Sequence, residues 1–259
     1  MEPLSSSEFY DRLARVFDVM TDWKKRLALE IPFLQRTLDQ NGARSVLDTA
    51  CGTGWHTIAL AHRGYRAAGC DASSAMIEIA RTNAAAAKAE VRFEVADFDQ
   101  LGRFSETFDA VLCLGNSLPH LLSREALVKA LQQMRGKLRA GGVLILHNLN
   151  YDMRMVKKPR FFSANGNEEA LVWRFADYGP ELITFHTALF ERKIEGDSQK
   201  ASSWSVQVNS TLHRPVLQRD LDETLDQAGF SDLRHFGGLD GSAFEKEKSG
   251  DLVIFALAR

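Results

Sequence analysis

The chain has 259 residues, of which 45% are hydrophobic and 25% are charged, a composition typical of a folded protein with a sizeable core. The 32 basic and 34 acidic residues are mixed along the sequence and give a net charge of −2, so there is no basic stripe of the kind that neutralises nucleic-acid phosphates. No apolar run approaches the ~20 residues of a membrane span, and the N-terminus lacks a signal-peptide pattern, so we expect a cytoplasmic protein without nucleic-acid or membrane partners.

Two helices are predicted before the first strand. Apolar residues recur at helical spacing through the first forty positions, with a join near Thr21 and Asp22. Residues 1–41 are therefore expected to form an N-terminal helical cap.

From Ser45 onward, short apolar strands alternate with helices. This alternation is typical of a parallel sheet with right-handed crossovers. The pair Gly141-Gly142 is predicted to be the turn that ends the third helix of this region. The predicted elements are strands Ser45–Thr49, Arg66–Cys70, Val91–Val95, Asp109–Leu114 and Val143–Asn148, and helices Gly54–Arg63, Ser74–Ala87 and Arg124–Leu138.

The pattern changes after Tyr151. Three β-rich runs, "LVWRFAD", "LITFHTALFERKIEG" and "ASSWSVQVNSTLHRP", follow one another with no helix between them and predict an antiparallel insertion over 155–215. The chain is thus predicted to be one domain, 1–259, with a Rossmann-like α/β fold: a mostly parallel sheet of seven strands, N-terminal helices and a β insertion. The last predicted elements are helix Leu217–Ala228 and strands Asp232–Phe236 and Leu252–Leu257.

The stretch "VLDTACGTG" reads as a strand, a loop of small residues and the start of a helix. Ligands bind beyond the carboxyl ends of strands in such sheets, and Gly52 and Gly54 let the backbone approach a ligand closely. No GKS or GKT follows, which excludes a P-loop, and Thr57 replaces the third glycine of a dinucleotide loop. The strand ends in Asp48, whose charge would repel a pyrophosphate but suits ammonium and sulfonium groups. The loop therefore favours S-adenosylmethionine.

Acidic residues also end the next two predicted strands. Asp71 is placed to accept hydrogen bonds from both hydroxyls of a ribose. Asp97 is placed to accept from an adenine amino group, and Phe98 to stack on the ring. Acids at three successive strand ends form a more specific pattern than any single loop, and they again favour S-adenosylmethionine.

Several motifs carry a family resemblance: "LDTACGTG", "CDAS", "FDAVLCLGNSLPHL", "GGVLILHNLNYD" and the closing "AGFSDL…SGDLVIFALAR". Together they resemble the glycine and sarcosine N-methyltransferases, within the class I S-adenosylmethionine-dependent methyltransferases. The similarity is strong over 42–152 and looser beyond. It implies a class I methyltransferase fold and methyl transfer to a small molecule.

The resemblance also implies roles for individual residues in cofactor binding. Tyr10 and Trp23 match aromatic positions that fold over the cofactor in the family, the loop at Ala50 contacts its methionine part, and Leu114 and Asn116 line the floor near the sulfur. The candidate cofactor-binding residues are Tyr10, Trp23, Asp48, Ala50, Gly52, Gly54, Asp71, Ala72, Met76, Asp97, Phe98 and Leu114.

Three residues are candidates for catalysis: His120, His147 and Asn116. His120 is similar to a family histidine beside the methionine carboxylate or the reaction centre. His147 lies at the same predicted edge, and a structural hydrogen bond is the alternative role for both histidines.

Leu149 marks a departure from the family. Members that take glycine carry at this position an arginine that pairs with the substrate carboxylate, so a simple amino-acid acceptor is not expected here unless Arg174, Arg192 or Arg214 of the insertion replaces it. The candidate acceptor-binding residues are Leu149, Tyr151, Trp173, Tyr178 and Arg214.

The insertion is interpreted as a lid that excludes water and shapes the acceptor site. An oligomerisation surface is its alternative role, which leaves a homo-oligomer open. The three cysteines form no CxxC pair, so no metal site is predicted. The sequence therefore predicts an S-adenosylmethionine-dependent methyltransferase acting on a small molecule, with N-methylation favoured. The alternatives are O- or C-methylation, a nucleic-acid methyltransferase and a non-catalytic cofactor-binding protein.

Overall fold

A computed structural model describes residues 2–194 and 202–259. Two sheets build the molecule, one of seven strands and one of four. The helices are α1 (Ser6–Phe17), α2 (Trp23–Gln40), α3 (Trp55–Ala61), α4 (Ser74–Ala87), α5 (Arg124–Gly136), α6 (Tyr151–Lys157) and α7 (Gln218–Gln227). The strands are β1 (Ser45–Asp48), β2 (Arg66–Asp71), β3 (Arg92–Val95), β4 (Phe108–Cys113), β5 (Leu138–Leu149), β6 (Phe161–Gly166), β7 (Ala170–Tyr178), β8 (Ile183–Ile194), β9 (Ser202–His213), β10 (Phe230–Phe236) and β11 (Asp251–Ala258).

The larger sheet has the strand order β10-β11-β5-β4-β1-β2-β3. β1 to β5 pair in parallel, whereas β11 is antiparallel to both β5 and β10. The order reverses beside β1, where β4 lies on one side and β2 on the other. In open sheets of this kind the ligand crevice lies at such a reversal, beyond the carboxyl ends of the strands. The predicted sheet of seven mostly parallel strands is confirmed.

Apolar residues bury both faces of this sheet. One cluster joins β1, β4, β5 and β11 to α5 and α7, and a second joins the same strands to α2 and α3. A serine caps the N-terminus of α1, α4 and α5: the hydroxyl oxygens of Ser5, Ser73 and Ser123 each accept a hydrogen bond from a backbone N–H in the first turn of the helix. Every helix in the described residues is too short or too polar to cross a lipid bilayer.

The predicted turn at Gly141-Gly142 is wrong. Helix α5 ends at Gly136, with Lys137 at its C-cap, and both glycines lie inside β5. The pairing of β4 with β5 shifts register there, and Gly141 has a φ of +69°. The pair therefore forms an irregularity within the strand, a place where glycine is common for its conformational freedom.

The smaller sheet is an antiparallel meander, β6-β7-β8-β9. It agrees with the predicted antiparallel insertion, except that the sequence reading missed β6 and the short helix α6 before it. The predicted β-rich runs also include 195–196 and 201, which lie outside the described residues. We call β6 to β9 the lid.

Helix α1 packs against the lid. Its buried residues Phe9, Leu13 and Val16 pack with Val172 and Leu189 of the lid. The cap and the lid therefore share one apolar core.

Candidate active site

A cavity of about 910 Å³ lies between the carboxyl edge of the large sheet, the cap and the lid. Of the residues predicted to form the site, fourteen line it: Tyr10, Trp23, Ala50, Gly52, Asp71, Ala72, Met76, Asp97, Phe98, Leu114, Asn116, His120, His147 and Leu149. Six others, Asp48, Gly54, Tyr151, Trp173, Tyr178 and Arg214, are not part of its wall.

Asp71, the last residue of β2, is held in one orientation by backbone groups. Its Oδ2 accepts from the Gly52 N–H at 2.9 Å and its Oδ1 from the Ser73 N–H at 3.0 Å. Burial raises the pKa of this carboxyl, and the nearby Asp97 adds to the effect. The side chain is therefore a fixed double hydrogen-bond acceptor at the cavity wall.

Asp48, predicted to bind the cofactor, lies outside the cavity wall. Its carboxylate is 1% exposed and turns back into the protein, where it accepts from the Ala50 N–H at 3.4 Å and from the Thr57 hydroxyl at 3.3 Å. Thr57, at the third glycine position, therefore serves to anchor this acid. Burial raises the pKa of Asp48 to about 7.

The raised pKa of Asp48 predicts a pH-dependent stability. The folded protein keeps a proton that the unfolded chain releases near pH 4, so the free energy of unfolding should fall by up to about 4 kcal/mol as the pH rises from about 4 past 7. Asp48→Asn should remove this fall. Urea unfolding of both proteins at about pH 5 and about pH 8 measures the effect, and equal pH slopes would contradict it.

Gly54 also lies away from the cavity wall. It is the N-cap of α3 with a φ of +85°, and a Cβ built on it would meet the Phe93 ring at 2.8 Å and Ala80 at 3.0 Å. The glycine is needed for close packing of the loop on β3 and α4.

Asp18, which the sequence reading missed, fastens the cap to the loop after β1. Its Oδ1 accepts from the Trp23 indole at 2.7 Å and from the Thr53 hydroxyl at 2.6 Å, and its Oδ2 accepts from the Trp55 indole at 3.0 Å. One carboxylate thus positions Trp23 over the loop. A lone Asp at a helix end gives no sequence signal for such a role.

Three ionisable rings meet in the cavity wall. The Tyr10 hydroxyl lies 3.2 Å from His120 Nε2, and the His120 and His213 ring centroids are 4.4 Å apart. Burial lowers the pKa of His120 to about 4 and that of His213 well below its ordinary value. Burial, aided by the Asp71 charge, raises the pKa of Tyr10 to about 12. All three rings are therefore neutral near pH 7.

Asn116 and Tyr151 hold this centre in place. The Asn116 amide accepts from the Leu149 N–H at 3.0 Å and donates to the Tyr151 hydroxyl at 3.2 Å. Tyr151 is 2% exposed, and its hydroxyl lies 3.5 Å from His213 Nδ1. The oxygen and the nitrogen of the Asn116 side-chain amide are thus both bonded to protein groups, which fits a positioning role better than the predicted catalytic one. Tyr151 is not part of the cavity wall, but its hydroxyl contacts two residues that are, Asn116 and His213.

His147 is likewise engaged by its neighbours. Its Nδ1 accepts from the Gly115 N–H at 3.4 Å, and its Nε2 lies 3.6 Å from the Asp251 carboxylate. This arrangement matches the structural hydrogen bond that was the alternative role for this histidine.

Three predicted acceptor-binding residues have other surroundings. Trp173 is 38% exposed and stacks on Phe161 on the outer face of the lid. The Tyr178 hydroxyl donates to the Pro159 carbonyl at 3.1 Å, and Arg214 Nε donates weakly to the Leu121 carbonyl at 3.4 Å. None of the three lines the cavity. For Trp173 the reason is strand alternation, which turns its side chain outward and that of its neighbour Arg174 inward.

The comparisons with known proteins agree with this architecture. Residues 46–142 match the model of a methyltransferase domain. The chain is 38% identical to a glycine/sarcosine N-methyltransferase of Aphanothece halophytica over 57% of this chain and 56% of the relative. It is 36% identical to the glycine/sarcosine N-methyltransferase of Parasynechococcus marenigrum over 71% of this chain and 63% of the relative. The chain thus spans less than two thirds of the length of these two curated relatives.

Solved methyltransferase structures superpose on nearly the whole chain. The CcbJ methyltransferase of Streptomyces caelestis aligns with a TM-score of 0.78 at 19% identity, covering 97% of this chain and 98% of that one. A sugar N-methyltransferase of Streptoalloteichus aligns with a TM-score of 0.66 at 22% identity, covering 100% of this chain and 95% of that one. The chain has the class I methyltransferase fold.

S-adenosylmethionine, the cofactor of this class, fits the donor set along the sheet edge. Asp71 would offer two fixed oxygens to a ribose, and Asp97, Phe98 and Met76, which also line the cavity, would be available to an adenine. Ala50 and Gly52 present backbone close to the cavity, as the loop reading expected. No group of three or more potential metal ligands occurs within residues 2–194 and 202–259.

Of the lid residues in the cavity wall, only Arg174 was predicted to have a possible role in binding the acceptor. Phe162, Arg174, Phe185, Thr187 and His213 all line the cavity. Alternation along β7 and β8 marks Arg174, Phe185 and Thr187 as inward, but only after one inward residue of each strand is known. Two cavity-lining arginines outside the lid, Arg26 and Arg154, carried no sequence signal.

Proposed function

We propose that the protein transfers the methyl group of S-adenosylmethionine to a nitrogen atom of a small molecule. The main support is the Asp71 carboxylate, fixed at the end of β2, in the same cavity as the neutral group of Tyr10, His120 and His213. The N-methyltransferase names of the relatives support nitrogen as the acceptor atom.

The acidic edge of the cavity would hold the donor. Asp71 would accept the two ribose hydroxyls, while Asp97 and Phe98 would contact the adenine. Tyr10 and Trp23 would cover it from the cap, Trp23 being fixed by its hydrogen bond to Asp18. Bound in this way, S-adenosylmethionine supplies an electrophilic methyl group on a positively charged sulfur.

The neutral centre suits this charge distribution. A protonated histidine there would repel the sulfonium, and it would also repel the positive charge that develops on an attacking amine. Because burial keeps His120 and His213 uncharged, the cavity presents polar but uncharged groups at this point. An amine must also be unprotonated to attack, and the apolar rings of Phe162 and Phe185 beside it favour the neutral form.

His213 would orient the acceptor. Its Nδ1 lies against the Tyr151 hydroxyl, and its Nε2 is buried without a hydrogen-bond partner among the described residues. With the Tyr151 O–H donated to Nδ1, the neutral ring carries its proton on Nε2. This unpaired N–H would become a donor to the bound acceptor, and the rate would then come mainly from alignment of acceptor and methyl group.

A screen with methyl-labelled S-adenosylmethionine tests the proposal. Amines, phenols and acidic heterocycles are offered as acceptors, and the labelled product is located by mass spectrometry and NMR. We expect label on nitrogen. Label on oxygen or carbon would contradict the N-methyl assignment, and cofactor binding without transfer to any acceptor would indicate a binding protein. Transfer to DNA or RNA would contradict a small-molecule acceptor.

His213→Asn is expected to lower kcat/KM for the acceptor about 10- to 100-fold, because it removes the directed donor of the lid. His186→Asn is the matched control: His186 lies on the same sheet but outside the cavity wall, with its Nδ1 bonded to Ser210. Steady-state kinetics should show the control near wild type. Equal losses in both variants would assign the effect to lid folding.

A further inference from the structure

Two arginines line the acceptor side of the cavity without an acidic partner. Arg154 comes from α6 and Arg174 from β7. Among the described residues, no Asp or Glu carboxylate lies within ion-pairing distance of either guanidinium. The third arginine in the wall, Arg26, differs because its Nε is paired with Glu30 at 2.9 Å.

The surroundings of these arginines are apolar and partly buried. The Arg154 guanidinium lies 4.6 Å from the Phe162 ring centroid, and its Nε is buried without a hydrogen-bond partner among the described residues. Arg174 Nε donates to the Ser163 hydroxyl at 2.8 Å. Arg154 and Arg174 thus contact neighbouring residues of β6, Phe162 and Ser163. Burial lowers the pKa of Arg174, and the positive charges of Arg26 and Arg154 add to this shift.

The charges of the cavity are divided between its two sides. The acids in its wall, Glu30, Asp71, Asp97 and Asp251, belong to the cap helix α2, to strands of the large sheet or, for Asp97, to the loop after β3. The donor side is thus acidic and the lid side is basic.

Leu149 stands where the family members that take glycine are expected to carry an arginine. It lines the cavity at the end of β5 and packs in an apolar cluster with Phe162 and Phe185, where the family resemblance implies an arginine. The cations of this chain are placed elsewhere, on α6 and the lid, with aromatic rings around them. A ligand here would need an apolar body against the rings and an acidic group at the arginines.

We propose that Arg154 and Arg174 form an anion subsite, and that the methyl acceptor is an apolar compound carrying a carboxylate or similar acidic group. This proposal rests on the proposed function, because the compound bound at the subsite is the one that receives the methyl group. Two guanidinium groups beside apolar walls bind a carboxylate strongly, because little water competes for the charges.

Calorimetry with matched neutral and anionic probes tests the subsite. Benzoate and benzamide have the same shape, and each is titrated into the full-length protein with and without saturating S-adenosylhomocysteine. We expect benzoate to bind at least about 10-fold more tightly. Arg154→Met and Arg174→Met should each reduce this preference at least about fivefold, and Arg174→Lys should retain part of it. Equal binding of the two probes would overturn the proposal.

Arg192→Met is the matched control, because Arg192 is an exposed lid arginine outside the cavity wall. It should keep the full preference for benzoate. S-adenosylhomocysteine affinity should stay within about threefold of wild type in all variants. A larger loss in Arg154→Met or Arg174→Met would show that these arginines hold the donor carboxylate, which overturns the acceptor subsite. Absence of S-adenosylhomocysteine binding to wild type would instead refute the proposed function, whichever probe binds.

Discussion

Asp71→Ala is expected to reduce the affinity for S-adenosylmethionine at least about 100-fold, as measured by calorimetry. The wild-type carboxylate is held by the Gly52 and Ser73 N–H groups and faces the cavity. Its removal would leave the ribose hydroxyls of a bound cofactor without their acceptor, which costs several kcal/mol. Asp71→Asn should fall between the two proteins, because the amide keeps one acceptor oxygen.

Asp99→Ala provides the control for Asp71→Ala. Asp99 also follows a strand end at the same edge of the sheet, but it is exposed and outside the cavity wall. Its replacement should leave the affinity within about twofold of wild type. Unchanged affinity in Asp71→Ala would refute the assignment of Asp71 to the cofactor, and a circular dichroism spectrum of each variant checks that the fold is retained.

Gly54→Ala is expected to destabilise the protein by about 3 kcal/mol or more. A φ of +85° costs an alanine about 1 kcal/mol, and the new Cβ would stand 2.8 Å from the Phe93 ring, which is 4% exposed and cannot move freely. The loop after β1 would have to shift away from β3. Urea unfolding gives the change in free energy of unfolding.

Gly64→Ala separates the cost of the positive φ from the cost of the steric contact with Phe93. Gly64 has nearly the same φ, +87°, but a Cβ there meets nothing within 4 Å. Only the backbone cost of about 1 kcal/mol should appear. If both variants lose the same stability, the close packing of Gly54 on Phe93 contributes nothing.

The large sheet could be read from the sequence because its strands are short, apolar and separated by amphipathic helices. Helix Ser74–Ala87 was predicted with its observed bounds, since Ser73 caps it and polar residues follow it. The turn at Gly141-Gly142 was misread because two glycines end helices far more often than they interrupt strands. Only the register of β4 against β5 shows that the strand begins before them.

The residues that line the cavity along the sheet edge could also be predicted, because the carboxyl ends of the strands meet at that edge in this fold. Asp71 and Asp97 follow from that rule alone. Asp48 obeys the same rule by position, yet its side chain points to Thr57, and no spacing reveals that direction. The acceptor side depends on which face each lid strand presents, which a shift of one residue reverses. The sequence reading therefore placed Trp173 in the cavity, where the fold places Arg174.

Asp18 joins the cap to the loop after β1 through its hydrogen bonds, so the central segment of the chain cannot be separated from the cap without breaking these bonds. The methyltransferase domain recognised in the sequence covers residues 46–142, but the cavity takes walls from the cap before it and from the lid after it. A chain reduced to that central segment would keep much of the nucleotide edge and lose the groups that enclose the ligand. Transplanting the segment into another protein would therefore transfer the sheet edge of the cavity without the walls that the cap and the lid supply.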